Sequence, residues 1–430
     1  MTADVPAPAR TRAEPAITPY QWLVLGAAWL GWVFDAMDST IYALVLHPAL
    51  ADVLARGAGA PVDEKAIGWY GGIVFSIFLV GWAVGGVLFG LFADRFGRTR
   101  TLVVTILIYA VFTGLAALSH TWWQLGLYRF VTALGIGGEW AAGAAMVAEV
   151  WPESRRARAA GLLQSAWAAG FLLAAVINLA LRDAGWRPLF VVGVAPAVLA
   201  LLVRLAVREP ERWVETRRHG APAPSIGALF TPSLRRATWT GSALAFVAVF
   251  GLWGATNWTP TLVRALPEVR DLAAGSQAAR VSYATMMLNA GALVGYLCFG
   301  PLADRFGRRP AFAIMCAGSL VMLPATFLLP RGYAQVLVLL PLLGFFNNGI
   351  FSGFPIYLPE LYPTRLRATG AGFCFNVGRV LAAAGPFITG ALVVALGSFG
   401  RAASAIAAIY LVGLAVLPFA PETRGRPLPE

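Results

Sequence analysis

The chain has 430 residues, of which 58% are hydrophobic and only 13% charged, where soluble domains carry about 25% charged residues. This composition excludes a disordered chain, a coiled coil and an ordinary soluble enzyme, and it makes lipid the dominant solvent. The net charge of +12 comes almost wholly from arginine, Lys65 being the one lysine. These positives lie in short segments between apolar runs, so they read as membrane orientation and not as a nucleic-acid-binding face.

In chain order, residues 1–20 are polar and carry Arg10 and Arg12 without the apolar core of a signal peptide, which predicts a cytoplasmic tail. Apolar runs of helical length follow at 22–46, 67–92, 101–118, 122–146, 159–179, 189–205, 238–258, 284–302, 310–329, 336–357, 369–396 and 402–419. Backbone in lipid must satisfy its own hydrogen bonds, so each run is expected to be a helix. The seventh and eighth are the least sharply bounded, because the polar stretch 264–282 separates them. The expected fold is all-α: a polytopic membrane protein with twelve transmembrane helices in two six-helix bundles. Residues 21–205 form the first bundle, 206–237 a cytoplasmic central loop, 238–420 the second bundle and 421–430 a C-terminal tail. Loops on the side of the termini hold 22 arginines and the opposite loops nine Lys/Arg, which puts both termini in the cytoplasm. Cys298, Cys316 and Cys374 fall inside apolar runs and read as packing residues. His47, His120 and His219 are scattered near span ends, and neither a metal site nor a cofactor is expected.

The halves repeat each other. Gly90-Leu-Phe-Ala-Asp94-Arg95-Phe-Gly97-Arg98 closes span 2 and Gly300-Pro-Leu-Ala-Asp304-Arg305-Phe-Gly307-Arg308 closes span 8, at an offset of 210. Glu149-Val-Trp-Pro and Glu360-Leu-Tyr-Pro close spans 4 and 10, and Pro210-Glu211 and Pro421-Glu422 follow spans 6 and 12, both at an offset of 211. Two six-span halves in parallel repeat are an architecture of secondary transporters. Glu149 and Glu360 are available to Arg95, Arg98, Arg305 or Arg308 on one membrane face. Together with Asp94 and Asp304 these charges either form a gate that opens and closes or only fix topology.

The paired loop motif resembles that of the major facilitator superfamily. Within it, Trp32-Val-Phe-Asp35-Ala-Met-Asp38, Gly137-Gly-Glu139-Trp140 and Phe373-Cys-Phe-Asn376-Val-Gly-Arg379 resemble the carboxylate and sialate:proton symporters, and more distantly the aromatic-acid:proton symporters. That resemblance implies proton-coupled uptake of an organic anion. Span 5 lacks the Gly-Pro motif of drug/proton antiporters, and span 7, read over Phe250–Trp258, lacks the Gln-Gln-Ser-Gly-like stretch of sugar porters.

Ionisable groups at lipid depth are costly and are functional candidates by default. There are five: Asp35, Asp38, Arg129, Glu139 and Arg379. Asp35 lies near the midplane of span 1, with Asp38 on the same helix face. Two such carboxylates resist ionising together, and either one suits proton coupling. Arg129 in span 4 comes to the depth of Asp38, where it either takes part in coupling or only neutralises the acid. Glu139, further toward the cytoplasm, is a second proton stop or part of the inner gate. Arg379 in span 11, with Asn376 one turn earlier, either anchors a substrate carboxylate through its two-pronged donor geometry or pairs with Asp35. Asn347, Asn348 and Gln164 are candidate hydrogen-bonding partners of a polar substrate.

Three acids, two arginines and a substrate anion leave a charge that protons must offset, which makes proton symport the expected mode. The expected partners are a small organic anion, such as a monocarboxylate or sialate-like acid, protons and the lipid bilayer. The expected setting is a bacterial inner membrane and the expected state a monomer, not an enzyme. A proton-driven exporter and a non-transporting sensor are the alternatives.

Overall fold

The computed structural model describes residues 16–58, 63–181, 184–254, 258–382 and 384–430. Residues 1–15 of the expected tail and Asn257 of the span 7 reading lie outside the described residues.

The described residues are helical throughout, with no strand among them. The first half consists of α1 (Pro19–Ala58), α2 (Glu64–Phe96), α3 (Arg98–Ala116), α4 (Trp122–Val150), α5 (Arg156–Ala180), α6 (Trp186–Val192) and α7 (Pro196–Ala206). The connecting loop carries α8 (Glu211–Arg218) and a 3-10 turn, Gly227–Phe230. The second half consists of α9 (Arg235–Gly254), α10 (Thr259–Ala265), α11 (Pro267–Arg270), α12 (Ala274–Phe306), α13 (Arg308–Leu328), α14 (Tyr333–Leu343), α15 (Gly353–Glu360), α16 (Arg367–Ala382), α17 (Gly385–Leu396), α18 (Phe399–Ile406) and α19 (Ile409–Val416).

Among the described residues, nine helices are long and apolar enough to cross a membrane, and Trp186–Ala200 is a shorter apolar helix. With α1 and the α16–α17 pair, the twelve spans of an all-α polytopic membrane protein are accounted for. The expectation of one continuous helix per run fails at four spans. Span 6 is interrupted before Pro196, which opens α7 at a first-turn position where its missing N–H costs nothing. Span 10 carries a π-helical turn, Gly344–Asn348, and then a 3-10 turn, Gly349–Ser352, between α14 and α15. Spans 11 and 12 are each two helices. The polar stretch 264–282 is ordered into α10, α11 and the first turns of α12.

Helix starts follow local chemistry. Asp63 accepts the Ala66 amide at 3.0 Å ahead of α2, and Thr121 with Gln124 forms a reciprocal capping box ahead of α4. The tight joints between α2 and α3 and between α12 and α13 rest on Gly97 (φ 117°, ψ 153°) and Gly307 (φ 105°, ψ 163°). That region of backbone space is open essentially to glycine alone. The two halves meet closely toward the face that carries the termini. There α2 approaches α16, with Gly90 against the Ala368 carbonyl, and α12 approaches α5, with Gly300 against the Ala157 carbonyl. Trp22 and Trp123 are exposed, and Trp186 is buried and donates to Asp52 at 3.2 Å.

Candidate functional site

Four of the five intramembrane charges come together in the first half. Asp38 on α1 and Arg129 on α4 form a fully buried bidentate pair: Nη2 to Oδ2 at 2.7 Å and Nη1 to Oδ1 at 3.1 Å. Thr113 of α3 adds a third donor to Asp38 at 2.8 Å. The guanidinium lies over Tyr42 at 4.4 Å and Phe78 at 4.8 Å, with Phe190 at 5.6 Å. Such rings offer a desolvated cation electrostatic compensation.

Asp35, one turn earlier on α1, is the opposite case. It is 0% exposed, and neither carboxylate oxygen has a hydrogen-bond partner among the described residues. It lies in the electrostatic field of Glu139, Asp38 and Arg379. Glu139 is also buried, with neither oxygen hydrogen-bonded within normal distance among the described residues. Its carboxylate rests on the α1 backbone at Gly31, where a Cβ would fall on Oε1. The buried phenol of Tyr109 on α3 interacts electrostatically with Glu139, Asp35 and Asp38.

Arg379 reaches this group from the second half. Its guanidinium sits 4.1 Å from the ring of Trp82 on α2 and 4.9 Å from that of Phe375. Among the described residues it makes one hydrogen bond, Nη1 to Asn376 Oδ1 at 3.0 Å. The surroundings are aromatic on both sides: Trp82 and Trp32 pack on Trp167, and Trp140 stacks on Phe375 at 4.4 Å. Asn376 is therefore a support for Arg379, and its Nδ2 donates to the Gly372 carbonyl at 2.8 Å. Asn347 lies in the π-helical turn and accepts a hydrogen bond from Tyr410 of α19, so its carbonyl oxygen is engaged within its own half. Asn348 and Gln164 are buried.

The repeated motifs build a second ionic cluster on the terminal face. Arg98 donates to Glu149 at 2.9 and 3.2 Å, to the carbonyls of Ala93 and Thr364, and stands 2.9 Å from Asp94. Arg308 repeats this with Glu360 at 2.8 and 3.0 Å, the Ala303 carbonyl and Asp304 at 3.1 Å. Arg95 and Arg305 do not join. Both are exposed, each lying over the phenylalanine that follows it. On one helix two arginines three positions apart would share a face, but here the positive-φ glycine between them ends one helix and begins the next, and Arg98 and Arg308 open the second helix facing Glu149 and Glu360.

The links across the halves use residues that the motif reading missed. Asp94 accepts Thr369 N at 2.7 Å, Thr369 Oγ1 at 2.6 Å and Ala368 N at 3.2 Å, capping α16. Arg367 reaches Glu149 at 2.7 Å, and Arg156 stands 3.7 Å from Glu360. The 211-residue offset that relates Glu149 to Glu360 also relates Arg156 to Arg367. That was the available signal. Another correction concerns the Pro-Glu echo. Glu422 accepts the Arg308 and Arg309 amides at the start of α13, and its counterpart at the start of α3 is Glu209, which accepts those of Arg98, Thr99 and Arg100; Glu211 instead opens α8.

The chain matches the Major Facilitator Superfamily over residues 28–279 and the sugar (and other) transporter family over residues 297–430. A putative metabolite transport protein of Haemophilus influenzae is 33% identical, over 96% of this chain and 99% of its own length. The chain belongs to the Major Facilitator Superfamily. It is also similar to a probable 4-methylmuconolactone transporter of Cupriavidus pinatubonensis, at 31% identity over 95% of this chain and 92% of that one. The sialic acid transporter NanX of Escherichia coli is 30% identical over 86% of this chain and 87% of that one. In fold, the chain superposes on the proton:xylose symporter XylE with a TM-score of 0.75 at 19% identity, covering 95% of this chain and 98% of that one. As a member of this superfamily the protein is a multi-pass membrane transporter, and the family is one of carriers, not of enzymes.

Proposed function

We propose that this carrier takes up a small organic anion together with protons, by alternating access. The observation that carries the proposal is the contrast inside the ionic core. Among the described residues Asp38 has three donors and the fully buried Asp35 none, while Arg379, whose charge acts on Asp35, makes one hydrogen bond. A buried carboxylate without donors strongly favours its neutral form unless a positive charge stands by. Arg379 is that charge for Asp35 while the carrier is empty. A substrate carboxylate docking on Arg379 removes the compensation, and Asp35 then takes a proton. Anion and proton thus bind together, which is symport. Asp38 and Arg129 stay paired as the fixed frame, with Glu139 as the second proton stop.

The arginine excess in the loops on the terminal side supports both termini in the cytoplasm; the proposal takes 21–205 and 238–420 as the moving halves, 206–237 as the linking loop, a monomer as the working unit and a bacterial inner membrane as the setting. The terminal-face cluster is then the cytoplasmic gate, built from Asp94, Arg98, Glu149, Arg156, Asp304, Arg308, Glu360 and Arg367. Aromatic walls around Arg379 suit a planar acid, and similar relatives bear the names of muconolactone and sialic acid transporters.

The test is uptake into proteoliposomes of labelled benzoate, muconate and sialate under an imposed pH gradient, inside alkaline. At least one acid should accumulate with the gradient and not without it. Arg379→Ala should abolish binding of that acid in a thermal-shift titration, with Arg379→Lys weakened about tenfold or more, since the ammonium lacks the two-pronged geometry. Accumulation indifferent to the gradient, or Arg379→Ala binding as wild type does, overturns the proposal.

A further inference from the structure

The two ion pairs that cross between the halves are related by the repeat but are unequal. Arg367 lies 2.7 Å from Glu149, and the rest of its guanidinium is occupied: Nη1 donates also to Thr364 Oγ1 at 3.1 Å, Nε to the Pro359 carbonyl at 3.1 Å and Nη2 to the Pro429 carbonyl at 2.9 Å. Arg156 stands 3.7 Å from Glu360, and its Nε has no partner among the described residues. Exposure does not explain the difference, because Arg367 and Arg156 are 0% and 2% exposed. The neighbouring acids repeat the asymmetry: Asp94 caps α16 of the other half, whereas Asp304 Oδ2 is unpartnered among the described residues.

One segment touches both pairs. After span 12 the chain turns back across the terminal face. The Pro421 carbonyl accepts Tyr357 Oη at 2.7 Å, and Glu422 seats on the first turn of α13. Thr423 Oγ1 then donates to Glu360 Oε2 at 2.6 Å. At the far end Leu428 is 3% exposed, in a stretch whose neighbours Arg424, Gly425, Arg426 and Pro427 are all exposed, and Pro429 meets Arg367. With Arg308 and Thr423 both bonded to it, Glu360 is satisfied from within its own half and has little need of Arg156. With Pro429 on Nη2, the Arg367 fork is complete and its Nη1 is held on Glu149. An incomplete buried guanidinium is costly, so an acceptor at one nitrogen fixes the direction of the others.

We infer that residues Glu422–Pro429 form a strap that sets how firmly the terminal face is held shut. Its far end strengthens the Glu149–Arg367 link and its near end weakens the Glu360–Arg156 link. Leu428 and Thr423 are positioning residues, acting through Arg367 and Glu360. The inference rests on the alternating-access reading.

The two ends of the strap predict opposite effects, which a merely destabilising substitution does not produce. The full chain, with its three native cysteines replaced by alanine, receives spin labels at Arg95→Cys and Arg305→Cys. These sites are exposed, one in each half, and outside the ion-pair cluster. The distance between them is measured in lipid nanodiscs across an acid-to-neutral pH series. Leu428→Asp should raise the ratio of long to short distances about tenfold, the worth of roughly one charge-assisted hydrogen bond. Leu428→Ala should raise it less, and Leu428→Met should match wild type. Thr423→Val frees a Glu360 oxygen for Arg156 and should lower the ratio severalfold, with Thr423→Ser restoring it. If Leu428 and Thr423 variants shift the ratio the same way, or leave it unmoved while wild type responds to pH, the strap has no such role. A wild type with one distance under all conditions would instead remove the alternating-access reading, and the strap with it.

Discussion

Asparagine at position 35 and asparagine at position 38 are nearly the same substitution one helical turn apart, yet they should behave in opposite ways. Asp38→Asn leaves the Arg129 guanidinium fully buried without its counter-ion and replaces the two-pronged pairing, at 2.7 and 3.1 Å, by at most one bond to the amide oxygen. Breaking a buried pair from one side costs about 3–5 kcal/mol, and the rings of Tyr42 and Phe78 return only part of it. Asp35→Asn removes a charge that has no hydrogen-bond donor among the described residues and imitates the protonated acid. Arg379 loses the charge of Asp35 but keeps its Asn376 bond and its place against Trp82, so the loss of stability should be clearly smaller than for Asp38→Asn, about 1–2 kcal/mol.

The assay is thermal and denaturant unfolding of both variants in one detergent, followed by two flux measurements in proteoliposomes. Asp35→Asn should keep substrate counterflow and lose accumulation driven by a pH gradient. Asp38→Asn should unfold earlier, and Asp38→Asn with Arg129→Met should recover most of the lost stability because no lone charge remains. Equal destabilisation by the two single variants, or pH-driven accumulation by Asp35→Asn, would refute the assignment of Asp35 as the proton carrier.

Arg98→Ala removes a buried guanidinium from Glu149 and Asp94 and should cost about 3–5 kcal/mol, whereas Arg95→Ala, exposed outside the cluster, should stay within about 0.5 kcal/mol in the same unfolding assay. Gly31→Ala drives a Cβ onto the Glu139 carboxylate and should cost about 1–3 kcal/mol; Gly31→Ala with Glu139→Ala should regain it, and a double variant as unstable as the single one would sink the contact. Glu422 offers a pH test. Burial pushes its carboxyl up, but the amides of Arg308, Arg309, Arg424 and Thr423 outweigh burial and hold it below the usual glutamate range. Its contribution is therefore complete above the unfolded-chain value of about 4.3 and fades as pH falls through the lowered folded value. Glu422→Gln should be less stable than wild type at neutral pH, and the gap should close in acid; a gap that widened on acidification would contradict the sign.

The spans, the repeat and the five intramembrane charges were legible from the residues because the cost of placing polar groups in lipid is local. A run such as 310–329 must be a helix whatever surrounds it, and Asp35 or Arg379 is conspicuous at lipid depth before any partner is known. Breaks in the helices were less legible. Span 10 is apolar apart from Asn347, Asn348 and Ser352 and reads as one helix, yet its middle is a π-helical turn pressed against the backbone of α12. Prolines and glycines signal that such a break is permitted, while the neighbouring helix decides whether it occurs.

Partnership is what tertiary structure alone decided. Asp35 and Asp38 share a helix face in the sequence pattern, but only the rotation of α4 and α3 against α1 gives Asp38 three donors and, among the described residues, leaves Asp35 none. Likewise the motifs announce arginines and acids on one face. That Arg98 pairs with Glu149, that Glu149 is shared with Arg367, and that Glu209 caps the start of α3, all follow from how segments 50 to over 200 residues apart come to rest on one another. Hydrogen-bond geometry is settled over tenths of an ångström, a scale that residue spacing along one helix does not reach.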